Sequence, residues 1–141
     1  MIDLYELLGD SRKGYTEVAD KAENAKLSGF LRGISQERGD MQRDLGQAIQ
    51  RLSPKNEKLD DGTLKGDLHR TWMDIRKALT STEEAALLDE CTRGENYLVD
   101  RYKTVMDDKD TPQEMMSVLR EQRSRVDMTL SSIEQLYATF K

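Results

Sequence analysis

Four residues of this chain have the type and spacing to form one buried chemical site: Tyr15, Arg38, Glu95 and Gln122. Each falls near the middle of the apolar stripe of a long helical segment, so a bundle of the four segments would gather them into a central layer. In helical bundles that hold two iron or manganese ions, that layer carries a Glu on each of two helices and a Glu-x-x-His on each of the other two. Carboxylates bridge such ions and cancel their charge, while imidazole supplies neutral donors. Here the nearest matches are Glu37-Arg38-Gly39-Asp40 and Glu121-Gln122-Arg123-Ser124, and neither has its His. The only His of the chain, His69, lies outside the four segments.

Helical phase separates these residues further. At about 100° per residue, Arg38 lies within about 40° of the centre of its stripe, and Glu95 is comparably central on its own. Glu37 sits at a stripe edge, Glu17 lies roughly opposite its stripe and Glu121 about 120° away, so Glu17 and Glu121 face water. One inward carboxylate is too few for a dinuclear centre. The pattern predicts a structural polar layer in which Arg38 takes the place of the cation and Glu95 pairs with it, through one or two charge-assisted hydrogen bonds. Tyr15 and Gln122 would take the remaining donors and acceptors, since a buried ion must be satisfied on all sides. No metal or other cofactor is expected. The alternative is a reduced iron or manganese site at Glu37, Asp40 and Glu95.

Other chemistry is thinly represented. One His without a glycine-rich strand-to-helix turn gives neither a catalytic triad nor a phosphate loop, so the sequence reads as non-enzymatic. The single Cys91 excludes an internal disulfide and lies on an apolar stripe between Leu87, Leu88 and Leu98, as a small core residue. Net charge is −5 with both signs interspersed, and Glu121 and Asp127 break up the cluster of Arg120, Arg123 and Arg125. Nucleic acid, which needs a basic face, is therefore excluded as a partner. No charged-then-apolar leader and no stretch of membrane-spanning length are present, so a soluble, cytoplasmic protein without a membrane partner is expected.

The elements that must position the layer are legible in the periodicity. In 141 residues, 36% are hydrophobic and 35% charged, a ratio suited to slender amphipathic helices around one core. The first segment, about 3–23, opens with Asp3 and Glu6 at capping-box spacing and carries Leu4, Leu7, Leu8, Ser11, Tyr15, Val18 and Ala19. The second, about 26–52, carries Leu27, Leu31, Ile34, Arg38, Met41, Leu45 and Ile49 and stops at Ser53-Pro54. A shorter helix over about 63–79 presents Leu64, Leu68, Trp72 and Ile75. The third long segment, about 82–107, carries Leu88, Cys91, Glu95, Leu98, Tyr102 and Val105. The fourth, about 111–139, begins at Thr111-Pro112-Gln113-Glu114, an N-cap, a first-turn proline and a capping-box Glu in order, and carries Met115, Leu119, Gln122, Val126 and Ile133.

Short loops make the first and second segments one antiparallel hairpin and the third and fourth another, in a single domain over 1–141. The long connection with its own helix makes the all-α fold a ferritin-like four-helix bundle with a crossover helix between the hairpins.

Gly14-Tyr15, Leu68-His69-Arg70-Thr71-Trp72 and Arg93-Gly94-Glu95 together resemble a bacterial family of small ferritin-like four-helix-bundle proteins of unknown function. The resemblance covers nearly the whole chain. It implies the fold and a bacterial cytoplasmic setting, and no established activity, substrate or cofactor. The function expected is that of a helical-bundle protein acting through self-association, as a homo-oligomer, or through a protein partner. A metal-binding redox or storage protein is the alternative.

Overall fold

The computed structural model describes residues 1–52 and 84–140, and every regular element among them is helical. Helix α1 spans Ile2–Lys21, α2 Ala25–Leu52, α3 Glu84–Asp107 and α4 Met116–Phe140, with a 3-10 turn at Gln113–Met115 just before α4. The expected helix at 63–79, with His69 and Trp72, and the Ser53-Pro54 stop lie outside the described residues. No described helix is long and apolar enough to cross a membrane.

The termini differ from the sequence expectation in two places. Asp3 is not an N-cap: α1 already starts at Ile2, and the Asp3 carboxylate accepts from the Leu4 N–H at 2.9 Å and pairs with Arg101 on α3. Thr111 does not cap the fourth helix either. Its hydroxyl donates to the Val105 carbonyl at 2.6 Å, closing the end of α3, and Pro112 leads into the 3-10 turn without a side-chain cap. Between α1 and α2, Asn24 accepts from the Leu27 N–H at 3.0 Å and so caps the start of α2.

Each helix buries the stripe its periodicity marks out. One half of the core joins Leu4, Leu8, Met41, Leu45, Leu98, Tyr102, Met115 and Leu119; the other joins Tyr15, Val18, Leu27, Leu31, Leu88, Cys91 and Ile133. Those memberships fix the directions. The start of α1 lies beside the end of α2, the end of α3 and the start of α4. Hence α1 and α2 run antiparallel, α3 and α4 run antiparallel, and α2 and α3 run the same way. The chain leaves α2 at one end of the bundle and enters α3 at the other.

Small residues bring α1 and α2 close together. Ser35 Oγ donates to the Arg12 carbonyl at 2.9 Å and lies 2.6 Å from Thr16 Oγ1, while Ser28 Oγ donates to the Ala19 carbonyl at 2.7 Å. At Gly9 an added Cβ would sit 2.4 Å from Gln42 Nε2, so a side chain there would displace the end of Gln42. Gly29 and Gly33 on α2 differ, because a Cβ at either meets nothing within 4 Å among the described residues. Glycine inside a helix costs about 1 kcal/mol relative to alanine. Gly29→Ala and Gly33→Ala are each expected to stabilise the chain by about 0.5–1 kcal/mol in denaturant unfolding. A loss of stability would mean that this face packs against something beyond the described residues.

Candidate functional site

The central residues of three helices meet inside the bundle. Arg38 from α2 is 0% exposed and Glu95 from α3 is 1% exposed, and Arg38 Nη2 donates to Glu95 Oε1. From α1, the Tyr15 hydroxyl donates to the same Glu95 oxygen at 3.1 Å. One carboxylate oxygen thus collects a guanidinium and a phenol. The contact from Arg38 uses a single nitrogen, and Nε and Nη1 of this buried side chain find no hydrogen-bond acceptor among the described residues. A buried donor left without an acceptor costs about 1–3 kcal/mol, which offsets part of what the ion pair contributes.

Gln122 stands in a second network. Its Oε1 accepts from the Tyr102 hydroxyl at 2.7 Å and its Nε2 donates to the Met41 carbonyl at 3.0 Å, which links α4 to α3 and α2. It makes no bond to Arg38 or Glu95. Tyr15, Arg38 and Glu95 lie together, whereas Gln122, expected to serve the same pair, bonds instead to Tyr102, which the sequence pattern did not single out as a polar partner. Tyr102 lies seven residues after Glu95, two turns along the same stripe, and that spacing was the available signal.

Burial governs the ionisation of the site. Desolvation pushes Glu95 above the usual carboxylate range, and the Arg38 guanidinium and the Tyr15 hydrogen bond pull against it without cancelling it. Tyr15 is raised well above an ordinary phenol, first by burial and then by the Glu95 charge. Burial also raises Tyr102, and it pushes the Cys91 thiol up to about 12, with the Glu95 charge adding to it. Cys91 is consequently a protonated core residue and a poor nucleophile at neutral pH.

The residues of the alternative metal site do not converge. Asp40 is 59% exposed and pairs with Arg43 at 3.1 Å, whereas Glu95 points into the core. Glu37 is half-buried and lies near enough to Glu95 to raise it further. Glu17 and Glu121, expected to face water, pair with Lys21 at 3.5 Å and Arg125 at 2.9 Å on their own helices. Among the described residues no group of three or more His, Cys, Asp and Glu side chains is placed to share an ion. Chemically, the arrangement keeps Tyr15 and Cys91 protonated and can fix the helices in register through directional bonds.

Fold and site together define a class: all-helical bundles with a buried ion pair crossing the core. More narrowly, the chain belongs to the family described as Domain of unknown function (DUF2383), whose model matches residues 1–108. That span contains Tyr15, Arg38, Cys91, Glu95 and Tyr102 and stops before Gln122. No curated protein and no solved structure matches the chain.

Proposed function

We propose that this protein is a non-enzymatic helical-bundle protein that acts by association, with its own copies or with a protein partner. In this reading its fold is ferritin-like and Arg38 fills the place of the metal of a ferritin-type site. The observation that carries it is the fully buried guanidinium on Glu95, a cation of the chain's own at mid-bundle. The common direction of α2 and α3 supports the ferritin-like arrangement, since two such helices need a long connection, for which the sequence supplies a helix at 63–79. The family resemblance supports a bacterial cytoplasmic setting.

Association is supported by apolar surface that the bundle leaves uncovered. Met128 on α4 is 69% exposed, and Phe30, Tyr137 and Phe140 are only partly buried at the end of the bundle where α2 begins. Covering these groups with a second surface would remove apolar area from water. Sedimentation velocity on the untagged chain over a wide concentration range tests the reading, with Met128→Lys as the comparison. A concentration-dependent dimer or higher oligomer that Met128→Lys weakens is expected. A protein that stays monomeric and recovers no partner by crosslinking in cells would sink it.

The metal question has its own measurement. Protein purified without tag or chelator from iron- and manganese-supplemented cells is expected to carry far less than one ion per chain, unchanged in Glu95→Ala. Stoichiometric iron or manganese, lost in Glu37→Ala or Glu95→Ala, would make this a metalloprotein.

A further inference from the structure

The side of α4 opposite Leu119, Val126 and Ile133 is exposed along most of the helix. Glu121, Ser124, Met128, Ser131, Gln135 and Ala138 follow one another along it at steps of three and four residues, the spacing of the seam between two paired helices. Met128, at 69% exposure, stands near its middle, and the short side chains of Ser124 and Ser131 on either side let a second helix come close. Charge is scarce here. In a chain with 35% charged residues, Glu134 is the only charged residue from 128 to 140, and the cores of protein interfaces are depleted of charge in the same way. Glu121, the one charge on the seam, is already held by Arg125 at 2.9 Å. One flank of the seam carries Arg120, Asp127 and Glu134 at intervals of seven residues, all exposed and none in an ion pair among the described residues.

We propose that this face of α4 is where two copies of the chain pair, antiparallel and two-fold, with Arg120 of each copy opposite Glu134 of the other. The inference rests on the association proposed above and names its surface and its partner. The order of the flanking charges selects a second copy in that direction. Two-fold symmetry brings the same flank of both helices together. Arg120 and Glu134 lie seven residues either side of Asp127, so a pairing centred there sets a basic residue level with an acidic one twice over. Only Asp127 then meets its own copy, a like pair close to the axis. Parallel pairing would set all three residues against their own kind. The seam from Glu121 to Ala138 is about 26 Å long at 1.5 Å per residue, and one helix face of that length is smaller than the roughly 800 Å² per partner of a stable complex. The pair is accordingly weak, with a dissociation constant on the order of 100 μM.

Sedimentation equilibrium of the full chain from about 10 μM to about 1 mM, with charges exchanged on the flank, tests it. The parent is expected to pass from monomer to dimer across that range. Arg120→Glu and Glu134→Arg should each weaken the dimer roughly tenfold, since each puts two like pairs in place of two opposite ones. Combined in one chain, the two substitutions should restore it. Asp127→Asn should tighten the dimer by removing the like pair near the axis, an effect specific to a partner that is a second copy in this register. All three side chains are exposed, so dilute samples of every variant should melt with the parent. Self-association that ignores the charge exchange, or that Asp127→Asn weakens, would overturn this inference and leave association through another surface standing. A chain still monomeric at about 1 mM would overturn it as well, and would take the association reading with it if crosslinking in cells also recovered no partner.

Discussion

Replacing Glu95 by Leu, with the rest of the chain intact, is expected to destabilise the fold by about 3–5 kcal/mol, and Arg38→Met should cost about as much. Both partners are taken out of water almost completely, at 1% and 0% exposure. Removing one leaves the other charged, buried and unpaired, which is the expensive state. Removing both is different. Among the described residues Nε and Nη1 of Arg38 have no acceptors, so its desolvation is only partly offset by Glu95. Arg38→Met with Glu95→Leu, and Tyr15→Phe added to remove the phenol that would lose its acceptor, should return to within about 1 kcal/mol of the parent or exceed it. Urea unfolding of the singles and the combined variant forms a mutant cycle whose coupling energy reports the pair. A near-neutral Arg38→Met single would show that the two groups are not paired in the folded chain.

The Arg38→Met variant also carries a pH signature. Burial raises Glu95, and the guanidinium is the largest influence holding it down. Without that cation the folded-state value rises further above the unfolded one. A carboxyl whose folded value is raised favours the fold most at low pH, and that advantage is lost as pH rises through the folded value. The deficit of Arg38→Met relative to the parent should therefore shrink towards about pH 5 and widen towards about pH 8. A deficit that does not vary with pH would mean that Glu95 stays ionised or reaches water in the variant.

How far the layer was legible follows from what periodicity encodes. A period of 3.6 residues says which side of a helix a residue occupies, and it assigned Tyr15, Arg38, Glu95 and Gln122 to the interior correctly. It says nothing about height along the neighbouring helix. That is set by the loop, and between α3 and α4 the loop holds the Thr111 bond to Val105 and a 3-10 turn, so that α4 begins at Met116 rather than near Thr111. With that register Gln122 meets Tyr102, about 10 Å further along α3 than Glu95 at 1.5 Å per residue. Thr111-Pro112-Gln113-Glu114 spells a capping box, yet the hydroxyl had a nearer acceptor in the end of α3. Such competition between local partners is invisible in a string of residues. The single-nitrogen contact of Arg38 was equally out of reach, because it depends on where Tyr15 approaches the Glu95 oxygen.

Alkali should unfold this protein sharply. Tyr15, Tyr102 and Cys91 are all raised by burial from ordinary values of 10.0, 10.0 and 9.0. In each case the unfolded chain gives up its proton first, so the native state holds more protons and stability falls as pH rises. The contribution is intact below about pH 9 and is lost between the unfolded values and the folded ones, of which the thiol's, about 12, marks the window. Each group adds a slope of up to about 1.4 kcal/mol per pH unit, so the three together approach about 4 kcal/mol per unit above about pH 11. Set against a typical domain stability of about 5–15 kcal/mol, that places the loss of helix between about pH 11 and 12. Circular dichroism and tyrosinate absorbance followed together supply the check: ionisation of the buried phenols should appear with the loss of helix and not before it. Tyr15→Phe should flatten the slope by about a third, because one of three linked protons is gone. Were the phenols of Tyr15 and Tyr102 to ionise while the helical signal stayed whole, water would have to reach the layer in the folded chain, and the closed, dry pairing of Arg38 with Glu95 would be the wrong picture of the core.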